Sequence, residues 1–267
     1  LCANHTTSPN PWNITKAFTD RKFHKFWDKL EIWLPFWEKG GVPKDISGHK
    51  NTISFFDTSA DPTWVNTAQG SALSFNAANS QYISINKAYQ HNSSFTISMW
   101  IFPTDTEGVV ASGETSGALA RWSMGQGSGF ISSNFYFGFW SSWTVADHGT
   151  SLATNQWHHV VGTIAFDSGA GDSTISLYVN GKLSDSATAT PQNINTTVTT
   201  NLGRHGWSGE RDYYDGDMRD VKIHKRTLPA AEVLQMYEAG AEMMYLKQPV
   251  AALVPVVSAF VPRMVTY

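Results

Sequence analysis

The chain has 267 residues, 41% of them hydrophobic and only 15% charged, a globular composition with material for a large core. Its formal charge of −3 gives no global reason to expect nucleic acid, and its single cysteine, Cys2, excludes an internal disulfide. Stability must come from packing or assembly.

Residues 1–14 are a polar Asn/Thr/Pro arm starting at Leu1 rather than Met, which fits either a processed N-terminus or a sequence that starts late; no charged leader with an apolar run precedes a cleavage site. Further on, Thr19 is placed to cap a helix, and Phe23, Phe26, Trp27 and Leu30 recur at helical spacing. Arg21, Lys22, Lys25 and Lys29 lie among them, diluted by Asp20, Asp28 and Glu31. The aromatic stripe is therefore expected to pack on its own domain or a neighbouring subunit, with Phe23 and Trp27 as assembly contacts, rather than on a membrane.

Ile32–Trp37 reads as a first strand, its Pro35 implying a sheet edge. Strand and turn signals then repeat: Ala72–Phe75, the turn Asn76–Asn79, and Gln81–Ile85. The clearest strand is Phe95–Pro103. Phe95, Ile97, Met99 and Ile101 share one face, Thr96, Ser98, Trp100 and Phe102 the other, and Pro103 ends it. Ala118–Met124, Asn134–Trp140, Trp157–Phe166 and Ser173–Val179 follow, the last turning back at Asn180-Gly181. Asp217–His224 is the final strand. A helix after Leu228-Pro229 carries Val233, Leu234, Met236 and Tyr237 and is expected to end at Gly240.

Many short strands with no helix between them predict an all-β fold: a two-sheet antiparallel jelly-roll sandwich with a short N-terminal helix, a C-terminal helix and an extended tail. The expected divisions are an arm and amphipathic helix over 1–31, the sandwich over 32–240, and an apolar tail over 241–267. The tail is kept extended by Pro249, Pro255 and Pro262. Its Met244, Tyr245, Val250 and Phe260 are expected assembly contacts, on the sandwich itself or on a neighbour. No uninterrupted apolar span reaches the ~20 residues of a membrane helix. The nearest, Val250 to Val261, is broken by Pro255.

Several stretches together resemble the laminin-G-like family of the concanavalin A-like superfamily. They are Gly70–Phe75 with Gln81-Tyr82-Ile83, Phe95–Pro103, Trp157–Thr163, Leu177–Gly181, Asn201–Arg204, and Tyr214–Ile223 with Thr227-Leu228. The resemblance implies a jelly roll and no single activity, since lectins, adhesion modules, glycosidases and viral structural proteins share this fold. A closing helix that runs into a Met/Tyr/Leu–Pro tail looks like domains that decorate bacteriophage virions.

No catalytic constellation stands out. Glu210 and Asp212 alternate as glycosidase carboxylates do, but they sit in a loop, Asp215 is out of step, and loop acidity is the better reading. Asp212, Asp215 and Asp217 are candidate oxygen ligands for calcium, the one cofactor considered. His158 and His159, adjacent on a strand, point to opposite faces and cannot easily share a metal. The surplus is aromatic: Trp140, Trp143, Trp207 and Tyr213 are candidate platforms for sugar rings or protein partners.

The first expectation is a non-enzymatic structural protein on a larger assembly, a phage capsid or tail at the virion surface, oligomeric and anchored by its terminal arms. The alternative is a secreted or cell-surface carbohydrate-binding module, and the remote one a glycoside hydrolase.

Overall fold

The computed structural model describes residues 27–55, 61–68, 70–87, 89, 93–113, 122–127, 132–139, 144–190, 199–205 and 212–246, the side chains of 242–246 excepted. Two antiparallel sheets form a sandwich, as the alternation and the resemblance imply. In the first, the strand order is β13 (Lys182–Ala189), β12 (Asp172–Val179), β11 (His158–Asp167), β6 (Phe95–Pro103), β15 (Gly216–His224), β4 (Gly70–Phe75) and β3 (Thr63–Thr67). β1 (Leu30–Leu34) also pairs with β15. In the second, the order is β10 (Thr144–Asp147), β9 (Tyr136–Phe139), β8 (Trp122–Gln126), β7 (Gly108–Gly113), β14 (Thr200–Leu202), β5 (Ile83–Ile85) and β2 (Ile53–Phe55).

The central strand β6 behaves as its pattern dictates. Phe95, Ile97, Met99 and Ile101 are at most 1% exposed and join one core with Trp122, Met124 and Phe137 of the opposite sheet. Phe95 and Trp122 meet across the sandwich with ring centroids 5.4 Å apart. The sheets approach closely at Gly162, where a Cβ would lie 2.6 Å from the Phe137 ring. The β12–β13 hairpin turns at Asn180 (φ 50°) and Gly181 (φ 77°), the two positive angles that an Asn-Gly turn of this kind needs.

β15 serves two partners on one side. Asp220 sits at φ 52° in an irregularity between Arg219 and Lys222. Before it, β15 pairs with β4; after it, with β1. Trp33 Nε1 donates to Asp220 Oδ1 at 2.8 Å, and Lys222 pairs with Oδ2. Burial pushes the Asp220 carboxyl up, but Lys222, the Trp33 indole and Arg219 together hold it below the usual range.

The ends of the chain correct several expectations. Of the helix expected over 20–31, Trp27 is helical, but Lys29 takes φ 57° and Leu30 already belongs to β1. Leu30 is therefore a strand residue, and β1 stops at Leu34, just ahead of Pro35 and Phe36 (φ 59°). Trp27 packs within its own chain, its ring 4.8 Å from that of Trp33; Phe23 lies outside the described residues.

The C-terminal helix, α1 (Ala230–Leu246), does not end at Gly240 but runs through it. Met244 and Tyr245 are thus helical, not part of an extended tail, while Val250 and Phe260 lie outside the described residues. α1 lies on the outer face of the first sheet, where Val233 and Met236 pack with Val161, Tyr178 and Leu228. Trp100, on the second face of β6, is covered by this helix. Tyr237 stacks on it at 5.7 Å, and Trp100 is 4% exposed.

Candidate binding site at the rim

One end of the sandwich gathers polar and aromatic groups from distant parts of the chain. There β4 ends at Phe75, β6 at Pro103 and β14 at Leu202, while β5 and β15 begin. Thr104 N donates to Asp215 O at 3.0 Å, Tyr214 N to Gly203 O at 2.9 Å and Val109 N to Asp212 O at 3.0 Å, so the loops are sewn together by backbone.

The turn after β4 is built by its asparagines. Asn76 is extended and its side chain accepts from Asn79 N at 3.2 Å, capping a single 3₁₀ turn that Ser80 closes at φ 56°. Gln81, 4% exposed, clamps the turn: its Oε1 accepts from Asn76 N at 2.8 Å and its Nε2 donates to Asp61 O at 2.9 Å. Gly216 (φ 140°) allows β15 to start beside it; a Cβ there would lie 2.2 Å from Phe102 O.

These elements enclose a shallow cleft of about 260 Å³, lined by Ser74, Asn76, Asn79, Gln81, Thr104 and Asp215 among others. Asp215 is the one acidic residue among the described residues that line it. Amide and hydroxyl groups make up most of the remaining polar surface, donors and acceptors both.

On the other side of Gln81, Tyr82 carries the Arg204 guanidinium 3.8 Å above its ring centroid, and Tyr213 lies 6.4 Å away. Burial raises the Tyr82 hydroxyl above its ordinary range, with Arg204 opposing. Tyr213 is half-buried and bridges to Val109. Burial likewise raises Asp212, with His205 opposing, and Asp217, which Ser74 hydrogen-bonds.

Of the sequence-predicted platforms, Tyr213 is at this rim, whereas Trp140, Trp143 and Trp207 lie outside the described residues, as does Glu210. Among the described residues no group of three or more His, Cys, Asp or Glu side chains is arranged to hold a metal, so Asp212, Asp215 and Asp217 do not converge on a calcium site. Asp215 lines the cleft, Asp217 bonds Ser74, and Asp212 is half-buried with His205 as a charged neighbour. His158 and His159 do point to opposite faces, His158 toward Ala153 O and His159 under Tyr237.

Sequence reasoning missed Asn76, Asn79, Gln81, Thr104, Tyr82 and Arg204 as a group. The one local signal was the Asn-rich turn; nothing in the linear order joins it to Thr104 or Asp215.

The family described as concanavalin A-like lectin/glucanases superfamily matches residues 77–234, more than half of the chain. No curated protein sequence matches significantly. Among solved structures, domain 4 of AbnA, an extracellular GH43 arabinanase from Geobacillus stearothermophilus in complex with arabinotriose, is 17% identical with a TM-score of 0.59, covering 78% of this chain and 98% of that one. The receptor-binding domain of botulinum neurotoxin type G is 18% identical (TM-score 0.56; 79% of this chain, 51% of that one). A structure of botulinum neurotoxin type C, whose cell entry depends on interaction with two ganglioside molecules, is 18% identical (TM-score 0.57; 81% and 52%). The chain spans about half the length of these toxin structures. At such identities the likeness is one of fold.

Proposed function

The chain belongs to the concanavalin A-like lectin/glucanases superfamily, and on that footing we propose that it is a non-catalytic carbohydrate-binding domain whose recognition surface is the rim. The observation that carries this is the amide- and hydroxyl-lined cleft together with half-buried Tyr213, whose ring is tilted at 6.4 Å against buried, Arg204-capped Tyr82, the residue after the cleft's Gln81. Sugars present a hydroxyl edge that needs alternating donors and acceptors and an apolar ring face that suits an aromatic surface. A single acidic residue among the described residues lining the cleft supports a binding role over hydrolysis, which on this fold asks for two facing carboxyl groups about 5–5.5 Å apart. The arabinotriose held by the arabinanase domain makes a glycan partner a reasonable expectation for a relative in fold.

A glycan array probed with the full chain, with and without calcium, tests the proposal. Binding to a defined set of glycans, unchanged by a chelator, is expected; no binding in either condition would dispose of it.

Display on a larger assembly, such as a phage virion, is a second reading. It is favoured by α1, which leaves Leu234 40% exposed and leads into the apolar segment 247–267. Sedimentation of the full chain beside one truncated after 246 tests it: loss of an oligomer on truncation is expected, and a monomer in both contradicts it.

A further inference from the structure

We infer that the rim cleft takes an uncharged sugar by a pair of neighbouring hydroxyls and turns away acidic sugars; the inference rests on the carbohydrate-binding reading above. The polar groups of the cleft divide into those already engaged and those open to a ligand. Gln81 is engaged at both ends of its amide, with Asn76 N and Asp61 O, and acts as framework. Asn76, exposed, has its Oδ1 engaged by Asn79 N, so its side-chain amide has an NH₂ group besides the engaged oxygen. Asp215 lines the cleft as its acidic residue, with its backbone carbonyl held by Thr104 N. Thr104 and Asn79, both exposed, complete the set.

A carboxylate flanked by amide NH₂ groups matches two adjacent hydroxyls: each hydroxyl donates to Asp215 and accepts from Asn76 or Asn79. A carboxylate or sulfate on the ligand would instead face Asp215, and among the described residues lining the cleft there is no cation to offset it. The cation nearest in sequence to the rim's stack, Arg204, is committed to the Tyr82 ring and hydroxyl. At about 260 Å³ the cleft lies below the ~300–1,000 Å³ of drug-sized sites. It has room for one sugar ring, which makes it a site for a terminal or edge-on residue rather than for a chain.

The test is calorimetric titration of the full chain with matched trisaccharides, neutral-terminated (arabinose, galactose, glucose) and acid-terminated (galacturonic, glucuronic or sialic acid). It is repeated on Asp215→Asn and Asn79→Ala, each checked for folding by circular dichroism. At least one neutral ligand is expected to bind tenfold or more tightly than its acidic counterpart, with both substitutions weakening it at least tenfold. Acidic ligands bound as well as neutral ones, or neutral binding untouched by both substitutions, would overturn the inference and leave carbohydrate binding standing elsewhere on the surface. No binding by any ligand would overturn both.

Discussion

Gly240 of α1 faces the Trp100 indole so closely that a Cβ there would lie 2.5 Å from Trp100 Nε1. The glycine is a notch for the tryptophan, and it explains why the helix does not stop where a glycine usually stops one. Replacing glycine by alanine inside a helix ordinarily stabilises by about 1 kcal/mol. Here the added methyl meets an indole wedged among His159, Tyr237 and the sheet. Gly240→Ala is therefore expected to destabilise by about 1–3 kcal/mol, as overpacked cores do. Chemical denaturation checks this; a stabilised variant would refute the notch.

A second prediction concerns the irregularity in β15. Asp220 accepts from the Trp33 indole and pairs with Lys222, tying β1 to the sheet. Asp220→Ala leaves both partners unmatched. The expected loss is about 2–3 kcal/mol, below the ~3–5 of a fully buried pair because these side chains are still 17–18% exposed. Amide exchange should show β1 opening before the rest of the sandwich. Equal loosening of β13, remote from the pair, would argue against it.

Acid should weaken the fold through His159. Burial, aided by the Lys222 charge and opposed by Asp220, holds its imidazole down to about 3, against 6.5 when unfolded. Unfolding therefore takes up a proton between those values. His159 contributes its full stability above pH 6.5 and loses about 1.4 kcal/mol for each pH unit below it, until the folded value is reached. His158, also lowered by burial, acts in the same direction. Denaturation of wild type and His159→Gln from pH 7 to 4.5 should give a flatter pH dependence in the variant; identical slopes would contradict this.

At the rim, Tyr213→Ala removes a half-buried ring from the Tyr82–Arg204 stack. Glycan affinity measured by calorimetry should drop at least fivefold, with the melting temperature little changed. A large fall in melting temperature with affinity intact would make Tyr213 a structural residue instead.

The sandwich was legible because β6, β11 and β12 alternate cleanly and the Asn180-Gly181 turn is unambiguous. β7, Gly-Val-Val-Ala-Ser-Gly, was not: it carries no alternation and owes its place to neighbours on both sides. The continuation of α1 was hidden because Gly240 has the usual meaning of a helix stop until Trp100 is seen beneath it. The cleft was invisible for another reason. Asn76, Thr104 and Asp215 are each ordinary loop residues, and only the meeting of β4, β6 and β15 makes them one surface.

The central claim is that the rim binds carbohydrate. Its most direct test is backbone amide mapping by NMR with a neutral oligosaccharide selected on the array. Shifts should concentrate at residues 76–82, 104–107, 203–205 and 212–216. Shifts confined to the outer face under α1, or none at saturating sugar, would contradict the account.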